Sequence, residues 1–276
     1  MREGVRLGLI AGEGRLPKIL LDTLSRQGRE VATIVFSEGA ASALAPSSVS
    51  LLRCGVAEVG KMMDFLKAHG AQGVLLAGKV DKALMYRNPR FDWRAVKLAR
   101  RLKDRRDDSL MAAFVAEMEK EGLEVLAQVD FLRDLLVPPG VLSSRQPTAR
   151  EMSDLKFGFE MAKGIAGLDI GQTVVVKEGA VLAVEALEGT DEAIRRGCRL
   201  GGKGVVAVKV SKPRQDPRFD VPVVGEETLR VLAEGGGSAL GVEAGRTLVV
   251  DLDALTARAK EAGIALVALE GPPSRS

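Results

Sequence analysis

Short apolar runs alternate with longer stretches of mixed polarity along the chain. The runs at residues 5–10, 31–36, 50–54 and 73–77 read as strands. Strands covered on both faces show continuous rather than alternating hydrophobicity. Residues 18–27 and 58–69, which lie between them, read as helices. Repetition of strand, helix and strand predicts a parallel sheet with right-handed crossovers. Asp107-Asp108-Ser109 then caps a helix reaching residue 120, and a strand over 125–129 and a short helix over 131–135 follow. No element is assigned to residues 37–49.

Pro138-Pro139-Gly140, followed by Ser143, Ser144, Gln146 and Pro147, marks a domain boundary. Beyond it, Thr148 and Glu151 form a capping-box pattern at the head of a helix over 148–166. Glu178-Gly179 is a hairpin signal between strands at 173–177 and 180–186. Thr190 or Asp191 is placed to cap a helix over 192–200. Strands at 204–210, 239–242, 247–251 and 265–269 and helices at 228–232 and 255–262 complete the chain. The expected architecture is α/β, with a Rossmann-like parallel-sheet domain over 1–140 and a second, mixed α/β domain over 141–276.

At 276 residues the chain has room for two such domains, and 46% hydrophobic content is enough for two cores. Aromatics are only 4%, so those cores must be built from Val, Leu, Ile and Ala. A net charge of +3 does not by itself select a partner. Met1 to Gly14 has no signal-peptide pattern, and no apolar run approaches the ~18 residues of a membrane span. A cytoplasmic, soluble protein is expected, with Cys54 and Cys198 as reduced thiols.

Residues 86–106 are strongly basic, and Trp93, Val96, Ala99 and Leu102 recur there at three-residue spacing. Two readings fit: a helix packed by that stripe with a solvated charged face, or a helix lying on an anionic membrane surface. Nucleic acid is not expected, because interleaved aromatics and recognition motifs are missing.

The chemistry is narrowed mainly by what is missing. The lone His69 ends a helix before Gly70, which suits a dipole partner better than a base. No Ser-His-Asp or Cys-His set, zinc spacing or P-loop is present. Carboxylates, lysines, arginines and glycine turns remain, and these parts favour Mg2+-assisted phosphoryl chemistry. They concentrate in the segment 209–228, where three prolines exclude regular helix and central strand and Lys209, Lys212, Arg214, Asp216, Arg218 and Asp220 stand close together in sequence. Gly12-Glu13-Gly14, between a strand and a helix, is either an anion cradle or a tight turn. It lacks the third glycine of a dinucleotide fingerprint. Lys79 follows the strand over 73–77 at the edge where open α/β sheets bind ligands, as a phosphate contact or a surface lysine.

Several segments together carry a resemblance: residues 8–17; Leu168-Asp169-Ile170-Gly171-Gln172; Val181 to Ala186 with Glu188-Gly189-Thr190-Asp191; and Lys212-Pro213 with Gln215-Asp216 through Arg218-Phe219-Asp220-Val221-Pro222. In this order, over nearly the whole chain, they resemble the LpxI-type UDP-2,3-diacylglucosamine pyrophosphatases of lipid A synthesis, the type unrelated to calcineurin-like phosphoesterases. The resemblance implies Mg2+-dependent hydrolysis of UDP-2,3-diacylglucosamine to UMP and 2,3-diacylglucosamine 1-phosphate (lipid X). It also implies a substrate site between two domains and a homodimer. A substrate with two acyl chains should partition into the inner membrane surface, and with the basic helix this leads us to expect peripheral association with that anionic surface. The resemblance places the family's essential aspartate at Asp220, as metal ligand or water-orienting base, with Asp216 as a second acid. Gly12, Gly14 and Thr190 are then expected to hold phosphate or sugar groups. Lys209, Lys212 and Arg218 would neutralise the diphosphate, and Lys79, Gln172, Asp191 and Gln215 would be further substrate contacts. Two rival classes are a nucleotide-dependent oxidoreductase and a non-catalytic nucleotide-sugar or lipid-binding protein.

Overall fold

Five strands form the first sheet: β1 (Leu7–Ala11), β2 (Val31–Val35), β3 (Ser50–Arg53), β4 (Gly73–Ala77) and β5 (Glu124–Val125). All pair in parallel, in the order β3-β2-β1-β4-β5. The computed structural model describes residues 6–80, 92–101, 107–213, 215–219 and 221–271. Every residue of β1, β2 and β4 is buried, as continuous apolar runs require. Helices α1 (Leu16–Arg26), α2 (Glu38–Leu44), α3 (Val59–Ala68), α4 (Trp93–Arg101) and α5 (Asp107–Lys120) accompany them. Gly8 lets α3 approach β1, because a Cβ there would lie 2.4 Å from Leu66. The expected Rossmann-like parallel sheet is therefore present.

Three local expectations are corrected. Helix α2, capped by the Ser37 hydroxyl accepting from the Ala40 N–H at 3.0 Å, occupies a stretch given no element. Seven residues rich in Ala and Ser are too short to show a helical period. The strand expected over 125–129 ends at Val125, and 3-10 turns at Gln128–Asp130 and Arg133–Leu135 replace it and the short helix. Helix α4 buries Ala95 and Leu98, while Trp93 is 68% exposed and Val96 38% exposed. A strict three-residue repeat drifts around a 3.6-residue helix, so the expected stripe does not define its packed face. The Ala99 side chain, Leu102 and the side chains of Asp107, Asp108 and Ser109 lie outside the described residues.

The second sheet is mixed. Strands β6 (Gly140–Val141), β7 (Thr173–Lys177), β8 (Ala180–Val184), β9 (Val206–Lys209), β11 (Ala239–Glu243) and β13 (Ala265–Leu269) lie in the order β6-β13-β11-β9-β7-β8. Strands β9, β11 and β13 are parallel, and β7 runs antiparallel to both of its neighbours. A short parallel pair, β10 (Val223–Val224) and β12 (Leu248–Val249), stands apart. Four helices belong to this half: α6 (Ala149–Gly167), α7 (Thr190–Gly201), α8 (Glu226–Glu234) and α9 (Leu252–Ala262). Alternation in the strands builds two cores. Val174, Val176, Val206 and Val208 pack with Leu155, Phe159 and Ala162 of α6. Val175 and Ala207 join Ile194, Cys198, Leu229 and Leu255 of the other helices.

The chain parts into two compact units, Met1–Leu132 with Pro217–Phe219, and Arg133–Asp216 with Asp220–Ser276. In the second, the predicted capping box is formed. Thr148 accepts from the Glu151 N–H at 3.2 Å, and Glu151 accepts from the Thr148 N–H at 2.8 Å. The expected cap at Thr190 or Asp191 is not: α7 begins at Thr190, the cap position is Gly189 (φ 85°), and no side chain caps it. The predicted hairpin is present, with positive φ at Glu178 and Gly179, as a type I′ turn requires. Asp154 of α6, 5% exposed, accepts from both turn N–H groups at 2.8 Å. Asp154→Ala leaves both donors without their partner. It is expected to cost about 3 kcal/mol in urea denaturation, and a loss under about 0.5 kcal/mol would contradict the assignment.

Candidate functional site

Six strands, β1, β2, β4, β9, β11 and β13, are buried throughout, and their only ionisable residues are Lys209 and Glu243, each last in its strand. Both stand at the carboxyl edge of the second sheet, the edge where α/β sheets bind ligands. Thr173, which opens the antiparallel β7, pairs with Lys209 and so lies at the same edge.

Lys209 is 8% exposed. Its ammonium donates to Thr190 Oγ1 and to the Val223 carbonyl, both at 3.1 Å. Thr190 passes the contact on by donating to Glu185 Oε1 at 3.0 Å. Glu185, also 8% exposed, accepts from the Gln172 N–H at 3.3 Å. Gly171 permits this approach, since a Cβ there would lie 2.1 Å from the Glu185 carbonyl oxygen. Thr190 therefore bridges a buried cation and a buried carboxylate, which explains why it does not cap its helix. Asp191 is likewise turned aside and accepts from the Thr228 hydroxyl at 3.2 Å.

Beyond β9, Lys212 pairs with Asp169 at 2.8 Å, and its N–H donates to Gln215 Oε1 at 3.0 Å. Gln172 Oε1 and Gln215 Nε2 are buried without a hydrogen-bond partner. Unpaired buried amide atoms are costly and mark where a ligand's polar groups would be welcome. Asp216 is half-buried, whereas Asp220 and Arg214 lie outside the described residues. An open pocket of about 430 Å³ at the ends of β11 and β13 is lined by Val137, Pro138, Pro139, Ala244 and Gly245.

The remaining candidates belong to the first unit. The Gly12 N–H donates to the Ala77 carbonyl at 2.8 Å and the Glu13 N–H to the Lys79 carbonyl at 2.7 Å. These groups are thus taken by the chain itself, and a Cβ on Gly12 would lie 2.6 Å from the Lys79 oxygen. Gly14 has φ 99° with open space where a Cβ would point. At this turn the tight-packing reading accounts for Gly12, and Gly14 and the exposed Lys79 face outward. Arg218 pairs with Glu119 at 2.8 Å.

Inspection of the sequence missed Glu185, Asp169, Lys163, Ser211 and Glu243 as members of the edge. A charged residue closing an apolar run was the available signal for Glu243 and Glu185. Lys163 gives no such signal, being one of several lysines on a long helix. Among the described residues no three His, Cys, Asp or Glu side chains are grouped to hold a metal. Glu185 and Glu243 are engaged by protein donors. An all-protein cation cage is therefore not assembled from the described residues. Magnesium typically takes one or two carboxylates and completes its shell with substrate phosphates and water, so oxygen donors of this kind remain compatible with it.

Neither cysteine is a nucleophile. Both are buried and free. Burial, helped by Glu58, pushes the Cys54 thiol up to about 11, and burial raises Cys198. The reactive species is the thiolate, so at about pH 8 native protein is expected to react slowly with Ellman's reagent at both sites and rapidly once denatured. A fast native reaction at either would contradict this. His69 closes α3 with Nδ1 at 2.8 Å from the Phe65 carbonyl, so that nitrogen donates.

The family model described as the LpxI N-terminal domain matches residues 6–135, and that of the LpxI C-terminal domain matches residues 138–267. The chain is 35% identical to the UDP-2,3-diacylglucosamine pyrophosphatase LpxI of Caulobacter vibrioides over 281 residues, covering 96% of this chain and 98% of the relative. Among solved structures, the ADP complex of an N5-carboxyaminoimidazole ribonucleotide synthetase is 14% identical, with TM-score 0.30, covering 70% of this chain and 35% of that one. The biotin carboxylase domain of Hydrogenobacter thermophilus 2-oxoglutarate carboxylase is 14% identical, with TM-score 0.29, covering 85% of this chain and 41% of that one. Likeness at that level carries no argument.

Proposed function

The chain belongs to the LpxI family, and from that premise we propose that it hydrolyses the diphosphate of UDP-2,3-diacylglucosamine to UMP and 2,3-diacylglucosamine 1-phosphate (lipid X) in lipid A synthesis. The observation that carries the reading is the continuity of the match: both family domains, in order, and one pyrophosphatase relative along almost its full length. The edge chemistry supports it. In the hydrolysis, water adds to one phosphorus and the bond from that phosphorus to the bridging oxygen breaks, so charge develops on phosphate oxygens. Lys209 places a positive charge at the edge with little water around it, where electrostatic interactions are stronger than in solvent. Lys212, oriented by Asp169, supplies a second cation. The unpaired amide atoms of Gln172 and Gln215 offer one acceptor and one donor to the substrate's polar groups.

Magnesium belongs to the same proposal. Asp220, together with diphosphate oxygens, would hold it, and when bound it supplies charge neutralisation and a more acidic water. Asp216, four residues earlier in the sequence, would be the second acid. Asp220→Ala is expected to retain the parent's circular dichroism and to lose more than about tenfold in UMP release, or ~1.4 kcal/mol of barrier. A folded variant within threefold of the parent would remove Asp220 from the mechanism. A parent that binds UMP without turning over substrate would favour the binding-protein class instead.

A substrate with two acyl chains partitions into a membrane, and no helix among the described residues is long and apolar enough to cross one. We infer peripheral contact with the anionic inner-membrane surface through α4, and the homodimer implied by the resemblance is part of the same proposal. Trp93 and Val96 are exposed side by side with Lys97 and Arg100, and the Lys97 ammonium lies 5.2 Å from the centre of the Trp93 ring. Arg94 is not part of that surface, being paired with Glu121 at 2.7 Å. Each basic side chain near an anionic leaflet contributes about 1 kcal/mol. Lys97→Glu with Arg100→Glu should therefore abolish salt-sensitive vesicle binding and lower activity on vesicle-borne substrate. Activity on detergent-solubilised substrate should be nearly unchanged. Equal losses in both assays would contradict membrane contact by this helix.

A further inference from the structure

One ion pair at the carboxyl edge, its carboxylate buried and its lysine half-buried, spends nearly all its hydrogen bonds on a single residue. Glu243, at the end of β11, is 4% exposed. Its Oε2 accepts from the Ser211 N–H and from the Ser211 hydroxyl, both at 2.7 Å. Lys163, on α6, donates to both Glu243 oxygens at 3.0 Å and to the Ser211 carbonyl at 2.9 Å. The N–H, hydroxyl and carbonyl of Ser211 are thus all held by one pair. The three ammonium protons of Lys163 match these three acceptors, which leaves none for a ligand.

Stability alone is a poor explanation. Desolvating two charges costs several kcal/mol per ion, and apolar residues of similar volume commonly serve as well. Leu240 and Val242, earlier in the same strand, pack in that way. The location supplies the missing reason. Ser211 is where the chain leaves β9 for the loop carrying Lys212, Gln215, Asp216 and Asp220. Lys212, the next residue, is fixed through its N–H and its ammonium, so the root of the loop is held at two successive positions.

We propose that Glu243 and Lys163 are positioning residues that lock Ser211 and so set where the 212–220 loop leaves the sheet for diphosphate hydrolysis. The inference rests on the function proposed above. Displacing a reacting group by about 1 Å can cost about 100-fold in rate, so a loose root should appear in turnover before it appears in binding.

The test uses the full chain. Glu243→Gln alone would leave a half-buried lysine without its carboxylate and endanger folding, so the pair is neutralised together as Lys163→Met with Glu243→Gln, while Ser211→Ala removes only the hydroxyl arm. For the double variant kcat should fall at least about tenfold with KM changed less than about threefold, and for Ser211→Ala kcat should fall about threefold. By hydrogen exchange and mass spectrometry, amides of residues 211–216 should exchange faster while those of β11 and β13 stay protected. A folded double variant with kcat within about twofold of the parent overturns the proposal, whatever its exchange. If the double variant does not fold, unchanged kcat in Ser211→Ala overturns it. A parent without pyrophosphatase activity defeats the functional reading. Exchange at 211–216 then decides the anchoring alone, and unchanged protection in the variants overturns it.

Discussion

Parallel strands buried on both faces leave charge almost nowhere to go. An ionised group in the middle of β1, β4, β9 or β13 would lose its hydration without gaining a partner, at a cost that the marginal stability of a domain cannot absorb. The chain obeys this constraint closely, because in six fully buried strands Lys209 and Glu243 are the only ionisable residues, and each is terminal. The constraint therefore sorts the molecule into apolar sheet interiors and polar sheet edges. The carboxyl edge of the second sheet collects Lys209, Glu243 and Thr173.

Each edge charge is answered locally, and the two answers differ in kind. Lys209 reaches Glu185 through the Thr190 hydroxyl, an indirect contact that keeps cation and carboxylate apart. Glu243 meets Lys163 directly, and the pair closes on Ser211. The second arrangement suits a pair that holds the chain still.

Most of the architecture was legible in the sequence because it rests on periodicity. The apolar runs of β1, β2, β4, β9 and β13 announce buried strands, Glu178-Gly179 announces its hairpin, and Thr148 with Glu151 announces its capping box. Helix α2 was not legible, since seven residues cannot display a period, and β5 was overread because the apolar run continues past Val125 into a 3-10 turn whose buried residue is Gln128. Trp93 and Val96 showed the limit of a stripe argument, for apolar spacing does not say which face is covered. At the edge, segments of recognisable type pointed to Gln172, Thr190, Lys209 and Lys212. Lys163 and Ser211 emerge only when distant stretches of chain are brought together by the fold. The glycine turn was ambiguous in the sequence, and the hydrogen bonds of Gly12 and Glu13 to the segment after β4 explain it as packing.

We propose that the diphosphate is cleaved at the carboxyl edge of the second sheet, with Lys209 at the centre of the site. The most direct measurement is product analysis by mass spectrometry for the parent chain and for Lys209→Met, with UDP-2,3-diacylglucosamine in detergent. The parent should release UMP and 2,3-diacylglucosamine 1-phosphate in equal amounts. The folded variant should lose at least about tenfold in kcat/KM, since removing one preorganised charge commonly costs that much or more. Unchanged substrate with the parent, or a folded variant as fast as the parent, would contradict the account.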